Sequence, residues 1–294
     1  MATVVGFISE KGGVGKTTAC YHIAVALTRY HAKRVLVIDA DYQRGGISGR
    51  FFPGTVEHFG RNASSGTTLF HKFQQLYSAV PQTPEVDIRP WEPGLDVIVS
   101  DPLLSTVSAR QVPSLNNIQA NSLAMLRHMQ TIKNVLVPLQ DRYDYVLIDS
   151  HPEVSDIMRS IIYSSDYCVS PVKLDRQSSI GVVTVIDTIE SVNTDIRMMR
   201  AALSLEDSYV NTRFAGAMGM MAREYRGSPK ETEEREINRL SRTGNFFENY
   251  ITQGDGVNRA VAEKVPVYDV SGANAAKQAE QFKALTIEFL SECP

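Results

Sequence analysis

Cysteine is scarce in this sequence: three residues in 294, Cys20, Cys168 and Cys293, far apart along the chain. An odd count without a C-x-x-C pair argues against a zinc or iron–sulfur centre built within one chain. Long hydrophobic runs are missing too. No stretch approaches the roughly 18 apolar residues that span a bilayer. Nothing near Met1 resembles a secretory signal, because the first apolar run is short and flows into a glycine loop. Charge has no dominant sign: 30 basic against 33 acidic residues leave a net −3. No global field therefore draws the chain to nucleic acid or an anionic membrane, and any such binding must come from a local patch. Internal repeats and low-complexity segments are absent. What remains is 43% hydrophobic and 21% charged, a globular composition with ample material for a core. A reduced, cytoplasmic protein is expected, with residues 1–294 forming one domain.

Short apolar runs alternate with longer amphipathic stretches. The runs lie at 3–9, 34–40, 95–100, 143–150, 166–172 and 214–221. Their Val, Ile and Leu are continuous rather than alternating, which suits strands covered on both faces. Helical stretches are expected at about 16–31, 115–138, 154–165, 177–199, 228–242 and 272–291. That order implies an α/β fold, a mostly parallel twisted sheet with helices on both faces. Residues 41–94 are less regular, with a possible helix at 68–80.

Between the first run and the first helix stands "SEKGGVGKTT", Ser9 to Thr18. Strand, glycine loop and helix form the context in which a phosphate-loop pattern is credible. Backbone N–H groups of Gly12, Gly13, Val14 and Gly15 can converge on phosphate oxygens at a helix N-terminus. Lys16 would neutralise the β- and γ-phosphates and the Thr17 hydroxyl would ligate Mg²⁺, with Thr18 completing the nucleotide-binding set. The loop also carries a second lysine, Lys11, where one normally suffices.

"KGGVGKTT" resembles the deviant Walker A motif of ParA/MinD-type ATPases, a branch of the P-loop NTPases. The resemblance extends over nearly the whole chain, more loosely beyond the loop. It implies ATP and Mg²⁺ as cofactors and a nucleotide-sandwich homodimer, in which Lys11 reaches the phosphates bound by the other subunit. "DADYQRGG" resembles the family's D-x-D-P-Q segment. Asp41 would then orient the attacking water, and Asp39 would support the magnesium shell or its loop. Tyr42 departs from the family's proline. "YVLIDSHPEV" resembles a Walker B strand, so that Asp149 would hold a magnesium-bound water. His151 is titratable and near the site, but reads as a loop residue rather than a catalytic one. Glu153 and Asp156 read as acids at the start of the next helix. The catalytic set is then Lys11, Lys16 and Asp41, and the metal set Thr17, Asp39 and Asp149.

By the same resemblance the chain belongs to the small class without an N-terminal helix-turn-helix domain. It would be a DNA-partitioning ATPase, cytoplasmic and nucleoid-associated when ATP-bound. It would bind nonspecific DNA and be released when a ParB-type centromere-binding partner stimulates hydrolysis. DNA contacts are expected from Arg223, Arg226, Lys230, Arg235, Arg239 and Arg242. The last three fall at i, i+4 and i+7 on one helical face. The rival for that face is an ordinary solvated helix, since residues 220–242 hold six basic and five acidic side chains. MinD-like membrane positioning would need a basic amphipathic C-terminal helix. The tail has a stripe of Ala275, Ala279, Phe282, Thr286 and Phe289 but is acidic, and no stable membrane association is expected. A protein assembly as cargo is a further alternative. An electron carrier bridging a cluster between subunits would need cysteines that this sequence does not place suitably.

Overall fold

The apolar runs become the strands of one sheet. The computed structural model describes residues 1–43, 46–54, 66–77, 84–108, 117–152, 154–206 and 208–294. Strand β1 (Thr3–Phe7) leads through the glycine loop into helix α1 (Lys16–His31) and back into β2 (Val35–Ala40). Among the described residues, the short helices α2 (Ile47–Phe51) and α3 (Leu69–Gln74) follow, then the hairpin β3 (Arg89–Glu92) and β4 (Leu95–Ile98). After α4 (Leu104–Ser108) and α5 (Ile118–Leu136), the chain alternates through β5 (Tyr145–Ser150), α6 (Asp156–Ser164), β6 (Tyr167–Lys173), α7 (Arg176–Ala202) and β7 (Arg213–Met220). A small hairpin, β8 (Glu224–Tyr225) and β9 (Ser228–Pro229), precedes α8 (Glu231–Thr243), α9 (Asp255–Glu263) and α10 (Ala273–Glu292).

The sheet order is β3-β4-β2-β5-β1-β6-β7. Every pairing is parallel except that of edge strand β3 with β4. The expected mostly parallel sheet with helices on both faces is what the chain forms. Strand β3 escapes the sequence reading because Arg-Pro-Trp-Glu carries a proline, which an edge strand tolerates but a central strand does not. The hairpin turns at Pro93 and Gly94, the glycine adopting φ 88°, as a tight turn with a left-handed second residue requires.

Continuous apolar strands bury both faces. Val5, Phe7, Val35, Val37 and Leu147 pack toward α1 and α10, while Val4, Leu36, Ile38, Val146 and Ile148 pack toward α5, α6 and α7. Helix α1 is enclosed along Ala19–Leu27 between the sheet and α10. Truncating a residue such as Leu147 to alanine removes about 2–5 kcal/mol. The stripe of α10 is spent on this core: Ala275, Ala279, Phe282, Thr286 and Phe289 are all buried. No helix among the described residues is long and apolar enough to cross a membrane.

Boundaries move where caps decide them. Helix α6 starts at Asp156, with Ser155 as its cap, accepting from the Met158 amide at 3.3 Å. Asp156 lies in the first turn near the positive helix end, and Glu153 lies outside the described residues. Helix α7 is capped by Asp175, which accepts from the Ser178 amide at 2.8 Å. The helix expected at 68–80 is described at Leu69–Gln74, with residues 78–80 outside the described set. Residues 246–269, outside the helical stretches expected from sequence, contain helix α9. The three cysteines are buried free thiols, and burial pushes each above its ordinary pKa. None presents a thiolate to a cluster shared with a second subunit.

Candidate functional site

Register brings the carboxylates together. Strands β1, β5 and β2 are neighbours in which Phe7 pairs with Asp149 and Asp149 with Asp39. Adjacent strands lie about 4.8 Å apart, so two residues more than a hundred positions apart share one level at the carboxyl end of the sheet. In open parallel sheets this end is where ligands bind. The glycine loop leaves β1 just above it.

The loop's shape depends on glycine at two points. Gly13 and Gly15 adopt φ 74° and 94°, a left-handed backbone that costs other residues strain. A Cβ on Gly15 would also meet Met220 at 3.2 Å. Residues Lys11 to Thr18 then line a cavity of about 310 Å³, closed on other sides by Asp41, Gln43, Gly46, Arg50, Pro152 and Met221. All eight residues assigned to nucleotide binding from sequence are in its wall, and Asp41 joins them.

Lys16 is buried, and its ammonium lies 2.9 Å from Asp149 Oδ1. It also donates to the Ser150 carbonyl. The Thr17 hydroxyl donates to the other carboxylate oxygen, Asp149 Oδ2, at 2.8 Å. Asp39 accepts from the Ser48 amide at 2.9 Å, the Ser48 hydroxyl at 2.6 Å and the Asp41 amide at 3.0 Å. Burial, then the nearby Asp149, pushes Asp39 up to about 7. Lys11 is half-buried at the loop's outer side and has no carboxylate partner among the described residues.

Sequence reasoning missed several members of this site. Asp41 Oδ1 accepts from the Gln43 amide at 2.9 Å and from His151 Nδ1 at 2.9 Å. The His151 ring stacks on Tyr42, centroids 4.1 Å apart. Tyr42, which stands where the family has proline, therefore packs against the histidine that holds Asp41. Ser48 ties Asp39 to the end of β4 by accepting from the Ser100 amide at 2.9 Å. Arg50, in α2, donates to the Thr18 hydroxyl at 2.9 Å and lies over the Tyr21 ring at 5.8 Å. The only hint of it in the sequence is an isolated arginine in a Gly/Ser-rich stretch after Asp41.

A second inward bond fixes α1. His22 Nδ1 donates to the Thr18 carbonyl at 2.8 Å, Nε2 accepts from the Val267 amide at 3.1 Å, and the ring stacks on Phe282 at 4.4 Å. Burial, then the positive Arg50, lowers His22 to about 3, so it is neutral. The phosphate-loop helix is thereby fastened to the C-terminal segment.

Hard oxygen donors suit magnesium. Thr17, Asp149 and Asp39 supply them, with Asp39 and Asp149 paired in register at the carboxyl end of the sheet, and a donor set of two carboxylates and a hydroxyl fits a hydrated magnesium ion.

The basic residues assigned to DNA contact lie elsewhere and are not brought together with the cavity. Arg223 Nε lies 2.5 Å from Glu233 Oε1, Arg239 Nη1 lies 3.0 Å from Glu236 Oε2, and Arg235 pairs with Glu231. Arg226 forms the tip of the β8–β9 hairpin at φ 54°, over Tyr225 at 5.2 Å. Lys230 precedes α8 as its cap residue and Arg242 lies in its last turn.

Sheet, glycine loop and strand-end carboxylates together define a P-loop NTPase of the ParA/MinD type. The family model described as an AAA domain, AAA_31, matches residues 2–200. The chain belongs to that family and to the ParA/MinD superfamily of ATPases. It is 26% identical over 218 residues to the sporulation initiation inhibitor protein Soj of Bacillus subtilis, covering 72% of this chain and 76% of Soj. The McdA–ATP complex of Cyanothece superposes with a TM-score of 0.73 at 16% identity, covering 98% of this chain and 96% of McdA. A plasmid partition protein of Borrelia burgdorferi superposes with a TM-score of 0.59 at 19% identity, over 99% and 98% of the two chains. Some curated relatives are longer: the chain spans 53% of the length of two Mycobacterium tuberculosis proteins that it matches.

Proposed function

We propose that this protein is an ATP-hydrolysing partition ATPase whose nucleotide state sets its pairing and its hold on DNA. The observation that carries this reading is the pair of lysines on one phosphate loop. Lys16 is buried and engaged by Asp149, whereas Lys11 stands at the cavity wall without a carboxylate partner among the described residues. One lysine serves the bound ATP. The other is free to cross to the ATP of a second copy, where two facing triphosphates would otherwise repel. Apolar side chains beside the cavity support such a partner. Gly181 lies near Glu10, and its neighbours Ile180 and Val183 are 55% and 41% exposed, as Val154 is at 53%.

In this reading the whole chain, 1–294, acts as one ATPase unit. Lys16 and the loop amides hold the phosphates, and Asp41, steadied by His151, orients the attacking water for in-line displacement. Thr17, Asp39 and Asp149 hold Mg²⁺, which when bound neutralises charge on the phosphates. Lys11 plays in trans the part an arginine finger plays elsewhere. The paired form binds DNA without sequence preference through the basic surface around α8, and release follows hydrolysis stimulated by a ParB-type partner. That Soj and a plasmid partition protein are among the similar proteins favours DNA as the track. The packing of the α10 stripe against the core disfavours a membrane anchor there.

DNA binding measured without nucleotide, with ADP and with a non-hydrolysable ATP analogue tests the proposal. Binding confined to the analogue, with a slope against salt, is expected. Equal binding in all three states would defeat it.

A further inference from the structure

The cavity holds more positive charge than its loop requires. Arg50 enters it from α2, whose Ile47, Ser48 and Phe51 are buried and anchor the helix. A guanidinium carries five N–H donors, yet among the described residues this one meets a single hydroxyl, Thr18 Oγ1 at 2.9 Å, and the face of Tyr21. No carboxylate among the described residues pairs with it. The nearby acids are committed elsewhere: Asp149 to Lys16 and Thr17, Asp39 to Ser48, Asp41 to His151 and Gln43. Asp149 acts on Arg50 through space without pairing with it; removing a charge from water without a paired counter-charge is costly, and a cation–π contact offsets only about 0.5–2 kcal/mol of it. A planar fork aimed into a polar cavity matches phosphate geometry, which it can bind through two parallel bonds.

We propose that Arg50 is a third cation of the nucleotide site, bound to phosphate oxygens that ATP and ADP share. Its position gives the assignment. Thr18, which accepts its hydrogen bond, lies a residue further into α1 than Thr17, away from the loop that serves the terminal phosphate. This deepens the nucleotide reading of the cavity and rests on it. A bound nucleotide then supplies the counter-charge that the apo fold withholds, and binding through Arg50 stabilises the protein without involving the γ-phosphate.

Calorimetric titration of the full chain with Mg·ATPγS and with Mg·ADP tests this on wild type, Arg50→Met and Arg50→Lys, alongside thermal melts without nucleotide. Arg50→Met is expected to weaken both ligands by about tenfold or more, with Arg50→Lys recovering part of the loss. Its apo melting temperature is expected to equal or exceed that of wild type, which a merely structural arginine would not allow. Should Arg50→Met fail to fold, Arg50→Lys decides alone: retained charge without the fork weakens both ligands several-fold, and unchanged affinity overturns the proposal. Affinities of Arg50→Met within about twofold of wild type overturn it, as does a loss confined to ATPγS. A wild type that binds neither ligand removes the nucleotide reading itself, and this inference with it.

Discussion

Two sets of charged residues in this protein look alike in sequence and differ in the fold. Around the glycine loop, Lys16, Asp149, Asp39 and Asp41 come from segments up to 133 positions apart and are buried together. Along α8, Arg235 and Arg239 pair with glutamates three or four positions away, and Arg235 is 73% exposed. Burial decides what each pair is worth. A buried ion pair loses much when one member goes, because the other is left desolvated and alone. An exposed i, i+4 pair is largely replaced by water and salt. The first set builds a site and the second decorates a surface.

The largest effect is expected at Lys16. Lys16→Ala should weaken ATP by about 100-fold or more, and leaving Asp149 unpaired should lower apo stability by about 3 kcal/mol. Titration and urea unfolding of the same preparation read both. Lys11→Ala sharpens the contrast: ATP affinity is retained while the ATP-dependent dimer disappears on size-exclusion chromatography. A dimeric Lys11→Ala would remove the trans-lysine account.

The next effect is a pH dependence in the scaffold behind the site. His22 is held neutral, its pKa lowered from 6.5 to about 3. Above pH 6.5 its contribution to stability is complete. As the pH falls below that value the unfolded chain takes up a proton that the folded chain refuses, and stability declines until about pH 3. At pH 5 the loss is about 2 kcal/mol. Urea unfolding at neutral pH and at pH 5 should show this in wild type, and His22→Gln should flatten the difference by that amount.

The smallest effect on stability is expected on α8. Arg235→Ala should change it by less than about 0.5 kcal/mol. Reversing Arg223, Arg226 and Arg239 together should abolish ATP-dependent DNA binding while sparing nucleotide binding. A salt titration with unchanged DNA affinity would break the comparison and leave α8 a solvated face.

Much of this was legible in the chain. The apolar runs marked six of the seven strands of the main sheet, because strands covered on both faces need continuous apolar residues. The glycine loop was legible because its backbone demands glycine at fixed spacing. Arg50 was not, and of His151 its place near the site was legible but its bond to Asp41 was not. Each meets its partner through a loop crossing at the sheet's end, and no local periodicity reports such a meeting. The pairing of Tyr42 with His151 shows the same limit, since the tyrosine in place of proline finds its ring partner in a distant segment. Helix α8 shows its converse: the i, i+4, i+7 row and the i, i+4 spacing of Glu231 and Arg235 were visible in sequence, but not that Glu236 would engage Arg239 or Glu233 reach back to Arg223.

Local chemistry therefore settled the parallel sheet, the phosphate loop and the acids at the strand ends, because each depends on residue type within a short span. The tertiary structure alone decided which charges share one dielectric environment. Strand register set Asp39 level with Asp149, burial enclosed Lys16 with them, and α2 turned Arg50 into the same cavity. Electrostatic interaction depends on distance through space and on exclusion of water, and separation along the chain encodes neither.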